Sequence, residues 1–155
     1  MPGCRTHQLV GATTAGAFAL KASADLPEAG QLVYCLAALM GGYAGGMAPD
    51  VLEPAVHSHH RNVFHSLSAG GGMVGGALTG LGGAGTALRA QAARLRLTRL
   101  SLPETDPRRT QLAIQEHLIY VLLGLAFGFA VGYASHVVAD TMTPRGVPLA
   151  CRVLV

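Results

Sequence analysis

The chain has 155 residues, of which 50% are hydrophobic and 12% charged, with a mean hydropathy of +0.40. Soluble domains carry about 25% charged residues, so this chain has too few charges to cover a water-facing surface. The net charge of +3 comes without aromatic side chains alternating with the arginines, which argues against a nucleic-acid partner. The length predicts one domain, residues 1–155.

The first two apolar runs predict two helices. Residues 9–24 predict a short, partly amphipathic helix. A cleaved signal peptide is the alternative, because Arg5 precedes the apolar run and the small residues 22–24 end it. Residues 31–48 come close to the ~20 apolar residues that a membrane span needs, and Pro49 follows them.

The third apolar run, residues 63–88, is rich in glycine. In lipid a helix satisfies its own backbone hydrogen bonds, and small residues allow neighbouring helices to approach closely. Gly72, Gly76 and Gly80 recur at four-residue spacing. They predict a packing stripe on one helix face, through which a helix–helix oligomer could form.

The Arg-rich segment that follows, residues 89–117, is the one hydrophilic stretch of the chain. Within it, residues 90–100 predict an amphipathic helix lying along the membrane surface. Residues 118–139 form the fourth apolar run. The predicted fold class is therefore all-α: a polytopic membrane bundle of about four transmembrane helices plus an amphipathic surface helix.

Most ionisable residues outside the Arg-rich segment fall at one end of such a bundle. Four spans joined by short connections favour an up-down-up-down arrangement, and this alternation decides which residues share an end. Six candidate metal ligands then meet at one end of the bundle: His7, Asp50, His60, His65, His136 and Asp140. His117 is the only one of the seven histidines expected at the other end.

The distribution of positive charge predicts the orientation in the membrane. Lys21 and the six arginines of the Arg-rich segment lie at the end opposite the histidines, against four arginines at the histidine end. Because Lys and Arg are enriched on the cytoplasmic side, we expect the histidine end to face away from the cytoplasm.

The side chains that share this end suit a divalent metal. His136 and Asp140 are four residues apart and so share a helix face. An imidazole with a carboxylate suits zinc, our first expectation, and mixed nitrogen and oxygen sites also suit manganese or iron. Ionisable groups at the edge of a span are costly and usually functional.

Three further residues are candidates for catalysis. Asp50 or Glu53 could act as the general base, and Arg61 could bind an anionic group of the substrate. An alternative for Arg61 is an ion pair with Asp50 or Glu53 that holds the loop. Ser66 could be a nucleophile, although such a serine more often bonds a backbone carbonyl or supports a metal ligand.

Two segments resemble a known family. Residues 60–66 (HRNVFHS) resemble the His-Arg-Gly-Phe-Thr-His-Ser signature of the YdjM-like bacterial inner-membrane proteins, which are predicted metal-dependent hydrolases. Residues 132–149 resemble their C-terminal signature, Asp50 matches the start of their Pro-Asp-x-Asp segment, and His7 matches an early histidine. Leu52 stands in place of the second aspartate of that segment, so the resemblance leaves the ligand count open.

The resemblance implies a multi-pass helical protein of the bacterial inner membrane, distantly similar to zinc-dependent phospholipase C. It implies the same six metal-site residues as the alternation of the spans. We therefore expect a membrane-bound hydrolase of a lipid or lipid-linked ester or phosphoester. The alternative is a non-enzymatic membrane scaffold or complex subunit with a structural metal site. A metal-ion carrier would need polar residues across the bilayer, where the spans offer only Thr13, Thr14 and Thr79.

Overall fold

The computed structural model describes residues 4–53, 64 and 66–142. Within these ranges it describes the backbone but not the side chains of residues 4, 67, 69, 73, 74 and 76–81. Within this part of the chain the fold is all-α, as predicted, and consists of four helices. They are α1 (Cys4–Ala22), α2 (Glu28–Leu52), α3 (Leu67–Ser101) and α4 (Arg108–Thr141).

Helix α4 is the centre of the bundle and packs against each of the other three helices. The predicted up-down-up-down arrangement is present. At one end the start of α3 meets the end of α4, where Gly70 lies against Val137. At the other end Arg99 of α3 pairs with Glu116 of α4. The start of α1, the end of α2, the start of α3 and the end of α4 therefore share one end.

Glycines bring the backbones of α2 and α4 into direct contact. A methyl group added at any of the five glycines of this contact would collide with main-chain atoms of the facing helix; they are Gly41, Gly45, Gly124, Gly128 and Gly132. Gly11 fits α1 against Gly42 in the same way. Small residues are what permit such a close approach of helices, so these glycines of α2 and α4 form a packing interface.

The sequence predicts a stripe of glycines on α3 that packs against a neighbouring helix. Within the chain this prediction is wrong for Gly72. A methyl group added at Gly71, Gly72 or Gly75 would meet no atom within 4 Å. Gly76 and Gly80 lie outside the residues whose surroundings are described. The reason is rotational: α3 turns another face to α4, on which Ala92 is buried in the core.

The predicted separate surface helix is also wrong, because residues 90–100 continue α3 without a break. Alanine, leucine and arginine are strong helix formers, and neither glycine nor proline occurs from Leu88 to Leu100 to end the helix. Leu88 and Leu95 pack against the hydrophobic core. Arg89 donates hydrogen bonds to the Asp25 carboxylate (2.9 and 3.0 Å), which ties α3 to the α1–α2 turn.

Among the described residues, two helices are long and apolar enough to cross a membrane, α2 and α4. The predicted count of four spans stays a prediction. Helices α3 and α4, with 35 and 34 residues, are each about 50 Å long at 1.5 Å per residue. A hydrocarbon core of about 30 Å cannot contain that length, so a helix that crosses it must extend beyond it.

The loop between α3 and α4 carries its own ion pair. The Asp106 carboxylate accepts hydrogen bonds from the Arg108 backbone N–H (2.9 Å) and from its guanidinium (2.7 Å). These bonds favour the charged carboxylate and lower the pKa of Asp106. The Arg108 side chain is largely exposed to solvent, so the pair orients the first turn of α4 and adds little stability.

Candidate metal centre

Three of the predicted ligands converge at the shared end of the bundle. His7 lies in the first turn of α1, and His136 and Asp140 lie on one face of the last turns of α4. All three are buried, with 4%, 1% and 1% exposure respectively. Each offers one ligand atom, and these atoms lie within 4.8 Å of one another.

The Asp140 carboxylate faces both imidazoles. Its Oδ1 lies 3.6 Å from His7 Nε2, and its Oδ2 lies 3.6 Å from His136 Nε2. The two rings are stacked, with centroids 4.0 Å apart. Two ligand atoms on one tetrahedral zinc are about 3.3 Å apart, given Zn–N bonds of about 2.0–2.1 Å. The two carboxylate–imidazole distances of 3.6 Å are close to this value, and the donor types are ones that zinc accepts.

A backbone carbonyl fixes the orientation of the His136 ring. His136 Nδ1 lies 2.6 Å from the Gly46 carbonyl oxygen of α2. Because a carbonyl only accepts, Nδ1 carries the hydrogen, and the lone pair of the neutral ring is on Nε2, which faces Asp140. Metal-binding histidines usually make this kind of supporting bond.

Gly46 has a second role, because it lets α1 approach. A methyl group at Gly46 would lie 2.5 Å from the His7 carbonyl oxygen. The absence of a side chain thus allows His7 to reach the cluster, while the carbonyl of the same residue holds His136. We did not predict a role for Gly46 from the sequence; its position one turn before Asp50 was the available signal.

Asp50 lies at the accessible edge of the cluster. Its Oδ1 is 3.6 Å from His136 Nε2, and its side chain is 37% exposed. Glu53 follows the last residue of α2, and its backbone N–H donates to the Pro49 carbonyl (2.8 Å). Asp50 is thus brought to the ligands at a point open to solvent, and Glu53 lies at the same end of the bundle.

The remaining predicted site residues, His60, Arg61 and His65, lie outside the described residues. Two neighbouring residues are described. The Tyr133 hydroxyl donates to the Phe64 carbonyl (2.6 Å), one helical turn before His136. Ser66 is fully buried, and its hydroxyl lies 2.9 Å from that of Ser68.

The far end of the bundle holds different polar groups. Arg99 donates to the buried Glu116 carboxylate (3.1 Å), which also accepts from Tyr120 (3.4 Å). His117 lies at this end, as predicted, with its Nδ1 2.7 Å from the Ala113 carbonyl oxygen. The pair of the buried Glu116 with the partly exposed Arg99 is a structural link between α3 and α4 that the sequence pattern did not reveal.

Comparison with known proteins finds one family that matches almost the whole chain. A family model described as YdjM inner membrane protein matches residues 1–151, a range that includes every residue of the cluster. No curated protein and no solved structure matches the chain.

Proposed function

This chain belongs to the YdjM inner membrane protein family, and we propose that it is a membrane-bound hydrolase that depends on a divalent metal ion. The observation that carries the proposal is the convergence of His7, His136 and Asp140 within 4.8 Å, buried at one end of a helical bundle. Burying two imidazoles and a carboxylate in an apolar setting costs free energy. Ionisable residues that are kept in such a setting usually have a function.

The donor set suggests which ion is held. Two imidazole nitrogens and one carboxylate oxygen suit zinc first, and also manganese or iron. His60 and His65 are further candidate ligands from the sequence. When bound, the ion would supply a water molecule whose pKa is lowered towards neutrality.

The residues around the cluster would have distinct tasks. Asp50 would accept a proton from the attacking water at Oδ1, because it is both close to His136 and open to solvent. Glu53 is the alternative base, and Arg61 would bind the anionic group of the substrate. A site at the end of a membrane bundle suits a lipid or lipid-linked ester or phosphoester.

A structural metal site in a non-enzymatic scaffold or complex subunit is the second candidate. The observation that favours it is burial, because each of the three converging side chains is less than 5% exposed. Structural zinc sites are closed, whereas catalytic sites keep one position open for water. In this case removal of the metal would lower stability, and no substrate would be turned over.

Metal analysis of the purified protein tests whether the cluster holds a metal ion, as both proposals require. We expect wild type to hold a divalent metal and His136→Ala and Asp140→Asn to lose it. His117→Ala is the matched control, since it removes a histidine from the same helix at the opposite end. Metal retained by both site variants would contradict the ligand assignment.

Hydrolysis assays then separate the enzyme from the scaffold. We expect wild type to hydrolyse phospholipid vesicles or a chromogenic phosphodiester, and Asp50→Asn to lower kcat by roughly 10²–10⁴-fold, the usual contribution of a general base. Asp25→Asn, an exposed aspartate at the other end, is the control. A wild type that binds metal and melts at a lower temperature with chelator, but turns over neither substrate, would support the scaffold instead.

A further inference from the structure

A long apolar groove lies between α1 and α4 on the outside of the bundle. Its volume is about 550 Å³. The lining is almost wholly apolar and includes Val10 and Phe18 of α1 and Phe127, Val131 and Ala134 of α4. Ser135, one of its two polar lining residues, donates its hydroxyl to the Gly132 carbonyl of its own helix (2.8 Å). The groove therefore offers apolar contact and little hydrogen bonding.

The dimensions of the groove suit one extended hydrocarbon chain. Its lining runs along α4 from Phe127 to Met142, a length of about 22 Å at 1.5 Å per residue. One leaflet of the hydrocarbon core is about 15 Å deep. The volume of about 550 Å³ is spread along this length, so the groove is long and narrow rather than a wide cleft.

The groove lies next to the candidate metal centre. Two of its lining residues, Ser135 and Ala139, immediately precede His136 and Asp140 in α4. Successive residues of a helix are about 100° apart, so groove and cluster occupy adjacent faces of the same turns. Val10 of the groove lies one turn after His7 in α1. The same two helices therefore build both features.

We infer that the groove binds an acyl chain of a membrane phospholipid, whose headgroup lies at the end of the bundle that carries His7, His136 and Asp140. The outward side chains at its rim support this, since Phe18 is 58% and Val138 is 53% exposed. In an inner membrane protein such a face meets lipid. The position of the headgroup at the cluster rests on the proposed function, whereas binding of the acyl chain does not.

Photocrosslinking with a phospholipid tests the inference. The full chain is placed in phosphatidylethanolamine–phosphatidylglycerol vesicles that contain a phospholipid with a diazirine in one acyl chain, and crosslinked residues are mapped by mass spectrometry. We expect crosslinks concentrated in residues 10–18 and 127–142 over equally exposed positions outside the groove, such as Leu122 at 59% exposure. Crosslinks spread in proportion to exposure, or joining two copies of the chain across the groove, would overturn the inference.

A matched pair of variants adds a second test. Ala134→Phe fills the groove, and we expect it to reduce crosslinking there by roughly tenfold. Ala44→Phe adds the same side chain at an exposed position of α2 outside the groove, and we expect no reduction. Undiminished crosslinking in a folded Ala134→Phe contradicts the inference. If that variant does not fold, the wild-type crosslink map decides.

The two proposals can fail separately. With metal removed by chelator, or in His136→Ala, we expect crosslinking in the groove to persist. Crosslinking without phospholipid hydrolysis would contradict the proposed hydrolase and uphold the groove. Metal binding and turnover with crosslinks spread evenly over the lipid-facing surface would contradict the groove and uphold the hydrolase.

Discussion

The side chains of the candidate metal centre are each held by a different kind of contact. The Gly46 carbonyl orients His136, ring stacking places His7, and Asp140 lies on the same helix face as His136. Because these contacts join α1, α2 and α4, the cluster depends on three helices keeping their positions. A change that moves one helix should therefore disturb the site without touching a ligand.

Gly46→Ala tests this dependence at a single position. The added methyl would meet the His7 carbonyl at 2.5 Å and push α1 away from α2. We expect metal affinity to fall by about 10–100-fold, the effect usual for residues that support metal ligands. Titration of the apo-protein with zinc measures this. Gly83→Ala, where the methyl meets nothing within 4 Å, is the control, and unchanged affinity in Gly46→Ala would refute the positioning role.

Helix packing in this bundle depends on main-chain contact between α2 and α4. Gly128 faces the backbone of Ala38, and Gly124 faces that of Tyr34, at the four-residue spacing that keeps both on one helix face. Side chains of ordinary size would separate the two helices. In α3, by contrast, a methyl group at Gly71, Gly72 or Gly75 would meet no atom within 4 Å, and an oligomer formed through the glycines of α3 remains a proposal.

Gly128→Ala should therefore destabilise the bundle, although alanine is the better helix former. We expect a loss of about 1–3 kcal/mol in the free energy of unfolding, because the methyl would overlap the Ala38 main chain. Gly72→Ala adds the same methyl to an open helix position and should gain up to about 1 kcal/mol. Thermal unfolding followed by circular dichroism compares the two. Equal melting temperatures would show that the close contact is not needed.

The whole molecule has two chemically different ends. The cluster end carries His7, His136 and Asp140, and the other end carries Lys21, His117 and most of the arginines. Positive residues mark the cytoplasmic side of membrane proteins, so this asymmetry predicts that the cluster faces away from the cytoplasm. A lipid substrate would then come from the outer leaflet of the inner membrane.

Cysteine labelling tests the orientation. In a chain whose native cysteines are replaced by serine, Leu52→Cys, at a position 51% exposed at the cluster end of α2, should react with a membrane-impermeant maleimide in spheroplasts. Thr98→Cys, exposed near the end of α3, should react only after permeabilisation. Neither Leu52 nor Thr98 belongs to the cluster or lines the groove. The opposite labelling pattern would place the site on the cytoplasmic side.

Several features of the fold and site were predictable from the sequence. Alternation of apolar runs was enough to bring His7, Asp50, His136 and Asp140 to one end, because consecutive helices with short connections must reverse direction. The four-residue spacing of His136 and Asp140 likewise implies a shared face. These predictions depend on local periodicity and chain direction, both of which can be read along a single chain.

Other features depend on how the helices pair in three dimensions. The contact of Gly46 with both histidines, the choice of α2 and α4 for backbone packing, and the continuation of α3 through residues 90–100 all follow from that pairing. The rotation and register of two packed helices depend on both sequences together. A glycine allows a close approach only where an atom of the other helix faces it. Hydropathy along one chain shows which residues are apolar, and tertiary packing selects the partners that meet.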